Sequence, residues 1–487
     1  MNQRKKSYLF LILCLGLGLL AELSFFHGVI GVSYVLFIAA FYAVLFLQQG
    51  VHFSHRRIGL LVMVLIWMLA ASYLFYDNAL FYQLNSLVIP VLVFLHIVLI
   101  TTPNHIDWLS AIFANQVLQK FTQTFTYGKR WIKFVLKRTI FRQMNQATTQ
   151  LVKRVVIGLL LGVPLLGVIL SLLVSADANF ESIVMEVPSF IIGLNVLEGL
   201  FRTVAVILLT ILFFSAFKTL RKRYVLPLGK TMQTKQQASW DGVIAGTIIV
   251  LLNSIYVLFV VIQFKYFFGQ AIQADFTYAE YARRGFFELV VVTVINWSML
   301  LICLKFVPIK KQFSGYFMKS MYSLLIMASG VMLISAYIRL SMYENAYGFT
   351  MDRILAHAFM LFLIVIFAYT LIRVWLDGIS VVHFYLIAGL IFYAALNAIN
   401  PEQIIVENNL ERYQQTEKID IHYLNALSYS GIDGLITLYE TAPDYPELQS
   451  VLKDRKESIE QLDLETWQSF NFKKQQVINR LKELELD

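Results

Sequence analysis

Cysteine is almost missing: the 487 residues include two, Cys14 and Cys303. Both fall inside long apolar runs, so neither a disulfide framework nor a cysteine-based metal centre is available. Each reads as a small buried hydrophobe. Charge is also scarce. Asp, Glu, Lys and Arg make up 15% of the chain and hydrophobic residues 58%, with a mean hydropathy of +0.66. Soluble domains carry about 25% charge, so an ordinary soluble globular protein is excluded. No H-E-x-x-H, G-x-S-x-G or phosphate-cradling glycine loop occurs, which removes the usual metalloprotease, serine-hydrolase and nucleotide signatures. No repeat at solenoid or inverted-repeat spacing is visible. His96 and His357 each stand alone on apolar stretches, without a second histidine or a carboxylate at ligand spacing, and read as core histidines. No metal or other cofactor is expected.

What the chain has in abundance is long apolar runs. Crossing about 30 Å of hydrocarbon takes roughly 20 helical residues. Runs of that length predict spans near 8–28, 30–48, 58–76, 84–102, 155–175, 190–217, 242–267, 285–306, 320–342, 354–375 and 380–399. The expected fold is all-α, a polytopic transmembrane helical bundle of about eleven spans with a small helical soluble C-terminal segment. A β-barrel would show short alternating strands instead. Four regions follow: an N-terminal four-helix membrane region (1–102), a basic amphipathic cytoplasmic loop (103–154), a membrane core of about seven spans (155–399) and an acidic helical tail (400–487). Arg4, Lys5 and Lys6 precede the first span as in a signal peptide. No small-x-small cleavage pattern follows around Leu20-Ala21-Glu22, so this span reads as a retained anchor.

Charge sets the orientation. With the amino terminus cytoplasmic, 25 of the 31 Lys and Arg before residue 400 fall inside, as the positive-inside rule requires. The exceptions are Arg202, Lys265, Arg283, Arg284, Arg339 and Arg353. The tail carries 17 acidic against 9 basic residues, so the net +9 of the chain joins a cationic membrane part to an anionic tail. Eleven spans place that tail outside. Its predicted helices include Ile421–Leu427 and Leu435–Tyr439, separated by Gly431 and Gly434, and a long polar helix from about Glu447 after Pro443 and Pro446. The basic loop interleaves Trp108, Phe113, Phe121, Trp131 and Phe134 with Lys129, Arg130, Lys133 and Lys137. It reads as an interfacial helix on the anionic inner leaflet, or as a docking surface for a cytoplasmic protein. Nucleic acid is not needed to explain this charge.

Charge beside hydrocarbon is costly and marks the candidate site residues. Glu280, Arg284 and Glu288 are four apart on one helical face, with Arg283 beside them. They fit either an ion-pair ladder at the start of the eighth span or a charged outer vestibule. Arg339 precedes Tyr343 and Tyr347 at the same spacing, with Glu344, Asp352 and Arg353 nearby; Arg339 either snorkels to water or contributes to a site. Gly348 permits the tight turn into the tenth span. Asp177 closes the fifth span, and Glu198 stands four residues before Arg202, where the two can neutralise each other. Topology draws these residues toward one face of the membrane as a site for a ligand or partner. Asn253 and Asn296, mid-span, read as hydrogen-bonding glue between helices.

The stretches Tyr278-Ala-Glu-Tyr-Ala-Arg-Arg-Gly-Phe-Phe-Glu-Leu289 and Arg339-Leu-x-x-Tyr-x-x-Ala-Tyr-Gly-x-Thr-x-x-Arg353 resemble the paired signatures of the DUF4173/DUF4153-type bacterial membrane proteins. Ser-Ala-Asp-x-x-Phe at 175–180 and Ile-Asp-x-x-Tyr-Leu-x-x-Leu-Ser at 419–428 look like further pieces of that pattern, which spans roughly 150–430. The resemblance implies a multipass protein of the bacterial plasma membrane and no established activity, so no catalytic residue follows from it. The leading expectation is a binding, sensory or accessory role at the cell envelope through the outer charges. A transporter or channel with those residues at its mouth is the alternative. An enzyme acting on a lipid-linked substrate, with Asp177, Glu280 or Glu288 as acid or base, is the third.

Overall fold

The computed structural model describes residues 3–49, 54–139, 194–220, 240–268, 286–307, 313–376, 378–461 and 466–486, with isolated positions between 148 and 173. Every regular element among the described residues is helical. Nine of these helices are long and apolar enough to cross a bilayer, and Val32–Gln48 is a further, shorter apolar helix. The ten coincide with ten of the eleven expected spans. The remaining one, 155–175, falls mostly outside the described residues.

One compact unit comprises Met1–Leu74, Ile89–Tyr224 and Glu465–Phe470. It holds α1 (Gln3–Phe25), α2 (Val32–Gln49), α3 (Arg56–Phe75, save its last residue), the second half of α4 (Ala79–Thr101), α5 (Ala111–Thr139) and α6 (Leu194–Leu220). Aromatic rings join α1 to α6, with Phe10 5.3 Å from Phe214 and 6.0 Å from Phe217 between centroids. His96 is a satisfied core histidine, its Nδ1 2.7 Å from the Tyr42 hydroxyl. The amphipathic α5 buries Phe113, Gln116, Lys120 and Thr124, which recur every three or four residues, and it packs on α6. Lys120 is among these buried residues, and its ammonium donates to the Thr219 carbonyl at 2.8 Å. Lys129, Arg130 and Lys133 remain exposed.

The second unit comprises Phe75–Val88, Val225–Leu464 and Asn471–Asp487. Its spans are α7 (Gly242–Phe268), α8 (Phe286–Phe306), α9 (Phe313–Tyr347), α10 (Met351–Trp375) and α11 (Val381–Ile399). Two asparagines act as the expected glue. The Tyr256 hydroxyl of α7 donates to Asn296 Oδ1 of α8 at 2.8 Å, and Asn296 Nδ2 donates to Ser329 Oγ of α9 at 3.0 Å. Asn253 Nδ2 reaches the Met321 carbonyl at 2.9 Å. At about 1.5 Å per residue, the 35 residues of α9 span about 52 Å, far more than the hydrocarbon, so its ends project beyond it.

The tail in this unit is a small helical bundle: α12 (Pro401–Thr416), α13 (Ile421–Ala426), α14 (Tyr429–Thr441), α15 (Leu448–Gln461) and α16 (Phe472–Glu483). Pro401 starts α12 at a position whose amide would have no helical partner. Asp420 and Asn471 cap α13 and α16 through bonds from Tyr423 N and Lys474 N. Leu435, Leu438, Leu448, Leu452, Val477 and Leu481 form the core. Two expectations are corrected. Gly431 and Gly434 do not separate helices; both lie inside α14, where they let it approach α13 and α12. A Cβ on Gly431 would strike the Leu424 carbonyl oxygen, and one on Gly434 would strike Val406. The single long polar helix from Glu447 is two helices, α15 and α16, because Asn471 begins a new one.

Candidate functional site

The expected pair in the first unit forms and is larger than its sequence spacing announced. Arg202 of α6 bonds Glu198 one turn earlier and also His27, and its Nε lies 3.9 Å from Glu22 Oε1 of α1. His27 Nδ1 is 3.5 Å from the same carboxylate. Glu22 is buried, so the arginine offsets a charge that would otherwise be desolvated without a partner. The Glu198–Arg202 pair forms within α6 at its i,i+4 spacing, and Glu22 and His27 are neighbours that spacing could not reveal.

Glu288, Arg339, Tyr343 and Arg353 belong to the second unit. Glu288 is exposed in the first turn of α8. Asp177, Glu280, Arg283 and Arg284 lie outside the described residues. Arg339 does not snorkel: it is 8% exposed on α9. Five residues farther along α9, Glu344 is 3% exposed, and His357 Nε2 donates to its Oε2 at 2.8 Å. His357 is thus a satisfied histidine, as its sequence setting suggested, although its partner carboxylate comes from the neighbouring helix across a turn. Tyr337 packs edge-on against the same ring with centroids 4.3 Å apart.

The α9–α10 turn that creates this pairing is built by the rest of the motif. Gly348 adopts φ +87°, a conformation that glycine takes without strain. The Arg353 guanidinium lies 4.4 Å from the centre of the Tyr343 ring and also donates to the Gly348 carbonyl, closing the turn. Tyr343 and Tyr347 pack together at 4.8 Å.

The tail is clamped to this turn. Asn409 of α12 accepts from Phe349 N and donates to Phe349 O, both at 2.9 Å, so one side chain satisfies an entire peptide position. Arg412 donates to the carbonyls of Asn345 (2.9 Å) and Ala346 (2.7 Å) at the end of α9, as a cation at a helix C-terminus should. Met351 N donates to the Tyr423 hydroxyl of α13 at 2.8 Å. The segments 339–353 and 419–428, separately recognisable in the sequence, thus meet in space. Asn409 and Arg412 were missed because each looks like an ordinary polar position on a tail helix.

A second junction joins the tail to the α3–α4 turn. Asn471 Nδ2 donates to the Tyr76 carbonyl at 2.9 Å, and Phe472 stacks on Phe75 at 5.5 Å. Glu402, buried in the first turn of α12, accepts from Ser428 N at 3.2 Å and from the Ser428 hydroxyl. Burial pushes its carboxyl up to about 7 despite those bonds, and nearby Asp77 adds to the rise. Burial also raises Asp77, although Lys474 opposes the shift, and burial lowers Lys474. Among the described residues no cluster of His, Cys, Asp and Glu suits a metal ion. A largely apolar cavity of about 700 Å³ lies between the first turns of α7 and α9, bordered by Gly246, Thr247, Gly315 and Met318.

Together the spans, the folded tail and its clamp define a multipass helical membrane protein with a docked extramembrane domain. The chain matches the family described as a domain of unknown function, DUF4153, over residues 63–438, and it belongs to that family. The match begins well before the 150–430 region of motif resemblance and takes in the third and fourth expected spans. No curated protein and no solved structure matches the chain.

Proposed function

We propose that this protein is a sensory or binding component of the bacterial plasma membrane, in which the tail receives a ligand or partner and the α9–α10 turn relays its state to the spans. The observation that supports this is the clamp. Asn409, Arg412 and Tyr423 bind the main chain of the turn at Phe349, Asn345, Ala346 and Met351, so movement of the tail is transmitted to α9 and α10 without a flexible linker. Parity favours an external tail: the tail meets turns that follow the third and ninth expected spans, as the tail itself follows the eleventh, and the cationic loops favour a cytoplasmic amino terminus. Anionic inner-leaflet lipid at the basic loops, and a protein partner at the tail or at 103–154, are the partners this reading implies.

The test is an N409A/R412A double variant of the full chain in a deletion strain. Loss of complementation at unchanged membrane abundance supports the relay. Full complementation, with faster exchange at the turn proving that the tail is uncoupled, would sink it.

A further inference from the structure

We propose that Glu402 is a proton-binding site and that its protonation tightens the seat of the tail on the α3–α4 turn. The inference rests on the sensory reading above and names the stimulus as pH on the tail side.

Asp77 from the α3–α4 turn acts electrostatically on two side chains from remote parts of the chain, Glu402 at the start of α12 and Lys474 at the start of α16. Glu402 is 3% exposed and Lys474 8%. Pinning of α16 through Asn471 on Tyr76 and Phe472 on Phe75 holds Lys474 at this junction. Lys474 Nζ stands 6.0 Å from the centre of the Tyr429 ring, beside the Ser428 that bonds Glu402. The other ionisable neighbours are Tyr423 of α13 and Tyr429 of α14. Arg455 of α15 acts on Tyr429, and Asp352 and Arg353 of α10 act on Tyr423.

An ionised Glu402 therefore sits in a desolvated place with a like charge, Asp77, for company, while the cation Lys474 acts on Asp77. Neutral Glu402 relieves both costs. Its carboxyl titrates at about 7 when seated, against 4.5 ordinarily. The seated value is raised, so the stabilisation is complete below about 4.5, falls as pH rises, and is spent above about 7. The open fraction of the junction should then be about tenfold greater at pH 8 than at pH 6.

The experiment uses full-length protein in lipid nanodiscs. Infrared difference spectra across pH 5.5–8 read the protonated carboxyl, and hydrogen exchange at the amides of 428–432, corrected for intrinsic rate, reads opening. The expected result is a carboxyl titrating near neutrality and a tenfold change in opening. E402Q should abolish both and stay closed at pH 8, while E402D retains a titration and guards against misfolding. E407Q, at an exposed position of the same helix, should change neither. Absence of a protonated carboxyl across this range, or its persistence in E402Q, overturns the proposal and leaves the relay to its own test. A normal titration beside a fully functional N409A/R412A variant overturns the relay and leaves the proton site standing.

Discussion

Replacing Asn409 with alanine should free the α9–α10 turn from the tail while leaving both otherwise folded. The side chain is buried and makes two reciprocal 2.9 Å bonds to the amide and carbonyl of Phe349. A single net hydrogen bond contributes about 0.5–1.5 kcal/mol, and a buried partner left unmade costs more. Loss of both, partly compensated by water at the edge of the turn, should weaken the clamp by about 2–3 kcal/mol. At about 1.4 kcal/mol per factor of ten, the Phe349 amide should exchange roughly 30- to 150-fold faster. Asn408 is the control, since its side chain donates to the Ile404 carbonyl of its own helix at 2.7 Å. N408A should shift exchange at Phe349 by less than about threefold. Hydrogen exchange on the full chain in nanodiscs makes the comparison. Unchanged protection in N409A, or an equal effect from N408A, refutes the clamp.

Two other substitutions probe the second unit. H357A leaves the Glu344 carboxylate buried without its 2.8 Å partner and should cost about 3 kcal/mol in thermal denaturation of purified protein. The E344Q/H357A double variant should lose clearly less than the sum of the single changes, and strict additivity would argue against the pair. G431A drives a methyl into the Leu424 carbonyl and should make the tail sensitive to protease without removing the spans from the membrane; a protease-resistant tail would show that α14 can shift to accept it.

Periodicity and charge were sufficient for much of this protein. The apolar runs marked ten spans that became helices, because only a helix satisfies every backbone group within its own segment in hydrocarbon. The Glu198–Arg202 pair was legible because i,i+4 residues are neighbours on any helix. Asn253 and Asn296 were legible because a buried amide in a span needs a partner. Sequence could not reveal that Glu344 meets His357, since the twelve residues between them have to turn first, at Gly348. It gave no sign that Asn409 and Arg412 grip that turn. Nor could it show that Asp77, hundreds of residues earlier, acts on the buried Glu402, or that Ser428 bonds it. Local spacing determined which segments became helices and which near neighbours pair; desolvation and long-range partnership, which have no period along the chain, were decided only by the tertiary packing.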